Sequence, residues 1–233
     1  MWLHMPSNGT VRLPPKPFST SGHTTLYLPK HFAEARLDVL HAAIAAHPLA
    51  TLITLDGGEL VADEIPFVLD ASTGGFGTLR AHVARANPLW TRHDPSKRVL
   101  VVFKGLQAYI SPSWYASKAE HGKVVPTWNY ITVQASGLLE HKDGDSVWLR
   151  ALLDAMTGSQ ENRLPSPWQV GDAPDDYIAQ MMRAIVGIEI PVDSLVGKWK
   201  VSQNQPAANR DSVVAALQSH AAPMARAIQD RMN

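Results

Sequence analysis

The chain contains no cysteine. Disulfides, thiolate nucleophiles and cysteine-ligated zinc are therefore excluded. It has no surplus of charge either, since 21 lysines and arginines balance 21 aspartates and glutamates. That balance does not support a large basic footprint for DNA, although it leaves room for a local patch. No apolar run approaches the roughly 20 residues of a membrane-spanning helix. The start, MWLHMPSNGTVRLPPKP, has no basic segment leading into an apolar one, as a secretory signal would. Together these absences read as a cytoplasmic protein with no membrane partner. The ten histidines form no HExxH, and GxSxG and GxGxxG are missing, so neither a metal site nor a hydrolase elbow is expected.

What is present is an ordinary globular balance, with 45% hydrophobic and 18% charged residues in 233. Residues 1–25 are rich in Pro, Ser, Thr and Gly and read as a loosely ordered extension. Order is expected from LYLPKHF (26–32). Phe32, Arg36, Val39, Leu40, Ala43 and Ile44 then recur at helical spacing up to Pro48. LATLITL (49–55), a DGG turn and ELVADEIPFVL (59–69) predict a hairpin, with Pro66 placing the second strand at an edge or interrupting it. After DASTGGFG, the run TLRAHVARANPLW predicts a short strand end passing into a helix that stops near Asn87, before Pro88. Strands are expected at 98–105, 106–110, 130–142 and 186–192, and helices at 146–156, 174–185 and near the C-terminus. The fold class that follows is mainly β with peripheral helices (α+β), built as one closed or partly closed barrel. The domain division is an extension over 1–25, a single domain with helical additions over 26–220 and a helical tail over 221–233.

Three stretches carry candidate chemistry. Arg80, His82, Arg85 and Asn87 cluster where the strand is expected to feed a helix, which suits a phosphate. The same spacing also suits a solvated helix face. In YISPSWYASKAEHGKVVPTWNY (109–130), Trp114, Tyr115, Trp128 and Tyr130 alternate with Ser111, Ser113, Thr127 and Asn129. Aromatic faces with interleaved hydroxyls and an amide can hold a planar heterocycle. They serve equally in aromatic packing at a barrel end. In GKWKVSQN (197–204), Lys198, Lys200, Ser202, Gln203 and Asn204 form a cationic stretch after a strand that could reach a phosphate, or could be a solvent-facing loop. Asp63 and Glu64 are adjacent, hence on opposite strand faces, and make no acid/base pair.

Taken in order, LYLPKHF, HVARANPLW, QAYISPSWY, VPTWNY, IVGIEI and GKWKVSQN resemble the PaiB-like family of FMN-binding negative transcriptional regulators. The resemblance covers about residues 26–217. It implies an FMN-binding split β-barrel similar to pyridoxamine-phosphate oxidase, working as a homodimer with flavin sites at the interface. Carried over, the phosphate would lie near Arg80, His82 and Arg85, and the flavin ring along Asp63, Glu64, Ile65 and Pro66. Gln107, Ser111, Thr127, Trp128 and Asn129 would approach the ring edges, some from the second subunit. Trp114, Asn87 and Lys198 complete the expected cofactor-binding set, with no catalytic residue assigned. The family opens with Met-Tyr-x-Pro, whereas Leu26 stands at the methionine here. It also carries an arginine after SQN, where this chain has Gln205, and an acidic residue where Asn209 and Arg210 stand. The implied function is regulation by an FMN-binding protein. The alternative is an FMN-dependent oxidoreductase fed by reduced nicotinamide.

Overall fold

A computed structural model describes residues 26–232. The expected extension over 1–25 lies outside the described residues. Two antiparallel sheets make up the body. The first holds β1 (Ala33–Glu34), β2 (Leu49–Asp56), β3 (Glu59–Pro66), β6 (Arg98–Ile110), β7 (Thr127–Leu138) and β10 (Ser194–Lys200), in the order β1-β10-β7-β6-β2-β3. The second holds β4 (Val68–Asp70), β5 (Thr78–Ala84), β8 (Glu140–Lys142) and β9 (Ile185–Pro191), in the order β4-β5-β9-β8. No ladder joins the two sheets, so the barrel is split and does not close into one ring.

Alternation explains the core. Val99, Val101 and Phe103 on β6, Ile131, Val133 and Ala135 on β7, and Leu79, Ala81 and Val83 on β5 all point inward and are buried. Ile188 and Ile190 on β9 join them. The sheets come together where β7 passes β9. A Cβ on Gly137 would stand 2.1 Å from the Pro191 carbonyl oxygen, so only glycine lets the two backbones cross there. Helix α1 (Leu37–Ala46) inserts Leu40 and Ile44 into this core. α6 (Ala207–Leu217) and α7 (Ala222–Gln229) add Val213, Leu217, Met224 and Ile228. α7 falls within 221–233 and is part of the packed body. α4 (Ser146–Glu161) and α5 (Asp175–Arg183) lie on the second sheet. A short α2 (Leu89–Arg92) and α3 (Lys118–His121) complete the helices.

Several expectations change. The helix expected before Pro88 is strand β5, followed by a turn, and the helix begins after the proline. The period-2 run Leu79, Ala81, Val83 has partners on both sides, β4 and β9, and a ladder on both edges outweighs local helical preference. The strands expected at 98–105 and 106–110 are one strand, with its register shifting between Lys104 and Gln107. GKWKV is not a solvent-facing loop but most of β10, with Trp199 directed inward and Lys198 buried. The helix expected from Phe32 starts at Leu37, because Ala33 and Glu34 pair with β10. Among the described residues, no helix is long and apolar enough to cross a membrane. The β2–β3 hairpin stands as expected, and β3 is a sheet edge ending at Pro66.

Candidate functional site

The hairpin of β2 and the edge strand β3 lines a cleft of about 460 Å³. Thr54 and Asp56 of β2 and Val61 and Asp63 of β3 form one wall. The turn after β5 and the start of α2 form the other, through Asn87, Arg92 and His93. Thr54 of the first wall is buried, and Asp56 and Asp63 supply its carboxylates. Asn87 joins the walls. Its Nδ2 donates to Asp63 Oδ1 at 3.3 Å, and its Oδ1 accepts from the Leu89 backbone N–H at 2.8 Å, across the turn that leads into α2. Arg92 lies 3.0 Å from Asp56. The buried His93 ring places Nδ1 2.9 Å from the Leu89 carbonyl, while its Nε2 has no partner among the described residues. As expected from adjacency, Asp63 and Glu64 diverge: Asp63 meets Asn87 in the cleft, whereas Glu64 accepts from Thr51 at 2.7 Å on the opposite face. Ile65 is in the core and Pro66 is exposed at the strand end.

Arg80 and His82 sit elsewhere. They project from the outer face of β5, beneath α4, where Arg80 contacts Asp70 at 2.9 Å and Glu189 at 3.5 Å. His82 faces Gly187, and a Cβ there would meet the Trp148 ring of α4 at 2.2 Å. Burial pushes the His82 imidazole below its ordinary value, and its Nδ1 has no partner among the described residues. Arg85 turns away from the cleft, pairing with Asp143 at 2.8 Å and donating to the Arg183 carbonyl. No helix N-terminus gathers these three side chains, because β5 continues through Ala84.

The aromatic segment divides as well. Trp114 stacks on His220 with centroids 5.7 Å apart, and Ser111 caps the turn before it. Trp128 and Tyr109 meet edge-to-face at 5.9 Å on the outer face of the first sheet, where Trp128 is 54% exposed. Gln107 belongs to the same exposed face. Thr127 and Asn129 line a separate, smaller hollow of about 190 Å³ with Tyr115, Lys200, Ser202 and Gln205. Lys198 is buried between the Tyr27 and Tyr130 rings and donates to the Tyr27 carbonyl at 2.9 Å. The fold thus brings Asp63 together with Asn87, and Thr127 with Asn129. Arg80 and His82, Arg85, Trp114, and Gln107 with Trp128 are left in separate places. Sequence reasoning missed Arg92 and His93 of the cleft, although both lie within six positions of the singled-out Asn87.

Two sheets forming a split barrel, with a cleft beside an edge hairpin, define a class of ligand-binding β protein. Among solved structures, a conserved hypothetical protein from Mycobacterium tuberculosis superimposes with a TM-score of 0.55 at 10% identity, over 78% of this chain and 94% of that one. The family model described as "Putative FMN-binding domain" matches residues 26–194. The chain belongs to this FMN-binding family, and its cofactor is FMN. An uncharacterized protein from Emericella nidulans is 34% identical over 83% of this chain and 91% of its own length. The protease synthase and sporulation protein PAI 2 of Bacillus subtilis is 27% identical over 89% of this chain and 96% of its own, so the chain is a PaiB homologue. The cleft fits such a group. It has the volume of a small-molecule site, a mainly apolar lining set with a few polar side chains, and a buried histidine nitrogen without a partner among the described residues.

Proposed function

We propose that the protein works as an FMN-binding homodimer with a regulatory role of the PaiB type. The observation that carries this is the mainly apolar cleft lined by β2, the edge strand β3 and the segment after β5, with a few polar side chains set into it, in a chain of an FMN-binding family. In this reading the backbone of Asp63, Glu64, Ile65 and Pro66 lies along the flavin ring. Asn87, Arg92 and His93 face the phosphate end. Arg80, His82 and Arg85 act on that end only by fixing β5 and the turn that carries Asn87. Bound flavin supplies one- and two-electron chemistry, while the chain binds it, orients it and shields it from water.

The homodimer is supported by the outer face of the first sheet. Ile53, Leu100 and Val102 form an apolar strip there, continued by exposed Leu49, Leu60 and Trp128. A second copy would cover this strip and bring Gln107 and Trp128 towards the flavin of its neighbour. The regulatory role is supported by the near full-length match to PAI 2, a protein named for protease synthase and sporulation. The oxidoreductase reading is favoured by the Tyr109–Trp128 pair, an exposed aromatic platform able to stack a second planar ring such as a nicotinamide.

A visible absorption spectrum of the purified protein, with identification of the released chromophore, tests the cofactor in this chain. A colourless protein that also fails to take up added FMN rejects the reading. Turnover of reduced nicotinamide without DNA retention selects the enzyme. Salt-sensitive retention on a defined sequence selects the regulator. Alanine at Asn87 and Arg92 should weaken FMN more than riboflavin. If Arg80→Ala alone shows that pattern, the phosphate end lies under α4 instead.

A further inference from the structure

We infer that the hollow bordered by Lys200, Ser202 and Gln205 is a binding site for a small oxyanion, a carboxylate or a phosphate, distinct from the flavin cleft. The argument follows hydrogen-bond direction from fixed backbone groups outward. Lys200 carries three N–H donors. Two are used, on the Thr127 hydroxyl and the Trp128 carbonyl. The third has no acceptor, and no carboxylate lies within salt-bridge distance of Lys200 among the described residues. Lys198, two residues back on the same strand face, also lacks a carboxylate and adds positive potential. Burial pushes the Lys200 ammonium below its ordinary value; Tyr130, whose ring lies 5.9 Å away, opposes the shift and Lys198 adds to it.

The amides are oriented just as firmly. Asn209, itself buried, accepts from the Ser117 backbone N–H at 3.0 Å through Oδ1, so its Nδ2 must donate. It does so to Gln205 Oε1 at 3.4 Å, which leaves the Gln205 Nε2 end as a free donor at the hollow. On the other side Asn129 Nδ2 donates to Ser202 Oγ at 2.9 Å, which frees the Ser202 hydroxyl hydrogen. Ser202 is fully enclosed and has φ of 65°, the left-handed region. It is the single non-glycine residue in that region among the described residues. Such strain is retained where the surrounding structure demands it, commonly at ligand sites. Lysine, serine and glutamine therefore converge as donors, and the lining contains no acid. Its 190 Å³ corresponds to about six waters at ~30 Å³ each, which suits phosphate or a short-chain carboxylate.

That the site is distinct from the flavin's rests on the flavin reading proposed above, and the test separates the two. Inorganic phosphate and pyruvate are titrated calorimetrically into the full chain at constant ionic strength, with and without FMN. Saturable binding of either ion is expected. Lys200→Met should weaken it roughly ten- to hundredfold, the range of a hydrogen bond to a charged group. Lys200→Arg should retain binding, and Lys97→Met, at an exposed position, should leave it unchanged. Gln205→Arg adds a second cation to the lining and should tighten binding, which keeps the test decisive if Lys200→Met fails to fold. No saturable binding to the wild type overturns the inference, as does equal binding by folded Lys200→Met. Should Lys200→Met or Lys200→Arg abolish the preference for FMN over riboflavin, the anion is the flavin's own phosphate and the second site is rejected.

Discussion

The outer faces of the two sheets begin alike in sequence and end in different environments. On the four-stranded sheet the outward residues Arg80, His82, Gly187 and Glu189 are roofed by α4, with Arg80 paired to Asp70 and Glu189. On the six-stranded sheet the outward Ile53, Leu100 and Val102 are only half-buried among the described residues, and Leu60 stays 75% exposed. A face covered from within the chain can hold charges, because each finds a fixed partner under the helix. A bare face with an apolar strip is where the proposed second copy would sit. On the function proposed above, residues looking equally polar in the sequence divide into structural ones on the four-stranded sheet and ligand- or partner-facing ones along the open face and cleft.

The largest expected effect comes from placing a charge on the bare face. Val102→Glu should weaken self-association by about 3–5 kcal/mol, the cost of burying an unpaired charge, and sedimentation should show a monomer with an intact fold. An unchanged dimer would mean that another surface joins the copies. On the covered face, crowding is the sharper probe. Gly187→Ala drives a methyl into Trp148 and should lower stability by about 1–3 kcal/mol in urea titrations, leaving self-association alone.

Acid should distinguish the sheets next. Glu34, on β1 of the six-stranded sheet, is held at about 2 by its bond from Arg36, with burial opposing and Arg231 assisting. A folded value below the ordinary 4.5 contributes stability that is complete above pH 4.5 and lost as pH falls towards 2. Glu34→Gln should therefore flatten the melting-temperature profile in that window. The smallest effect is expected at His82. Its value is lowered by burial, so the fold favours the neutral ring, and this contribution fades as pH falls below its ordinary 6.5. His82→Phe should remove that loss, whereas substitution of the exposed His121 should not.

Much of the architecture was legible from period alone. The β2–β3 hairpin, its Pro66 edge, β9 and the helix of 146–156 follow from alternation, turn residues and helical spacing. Where the reading failed, pairing partners far along the chain decided. TLRAHVARANPLW reads as a short strand end passing into a helix, but the strand runs on to Ala84 because Ile185–Pro191, about a hundred residues away, pairs with its whole length. The site was legible as an inventory rather than as an arrangement. Arg80 and Arg85 carry the same charge and neighbour Asn87 in sequence, yet only Asn87 lines the cleft. Strand alternation turns Arg80 under α4, and the turn after Ala84 carries Arg85 to Asp143.

By itself the sequence determined which residues alternate into a core, which turns join them, and that six ordered motifs belong to an FMN-binding family. Only the tertiary structure decided which polar side chains are already satisfied and which are left facing a cavity. That division depends on distant partners such as Asp70 for Arg80, Ser117 for Asn209 and Ser202 for Asn129. Hydrogen-bond direction is a property of the assembled neighbours and has no local signature in the chain.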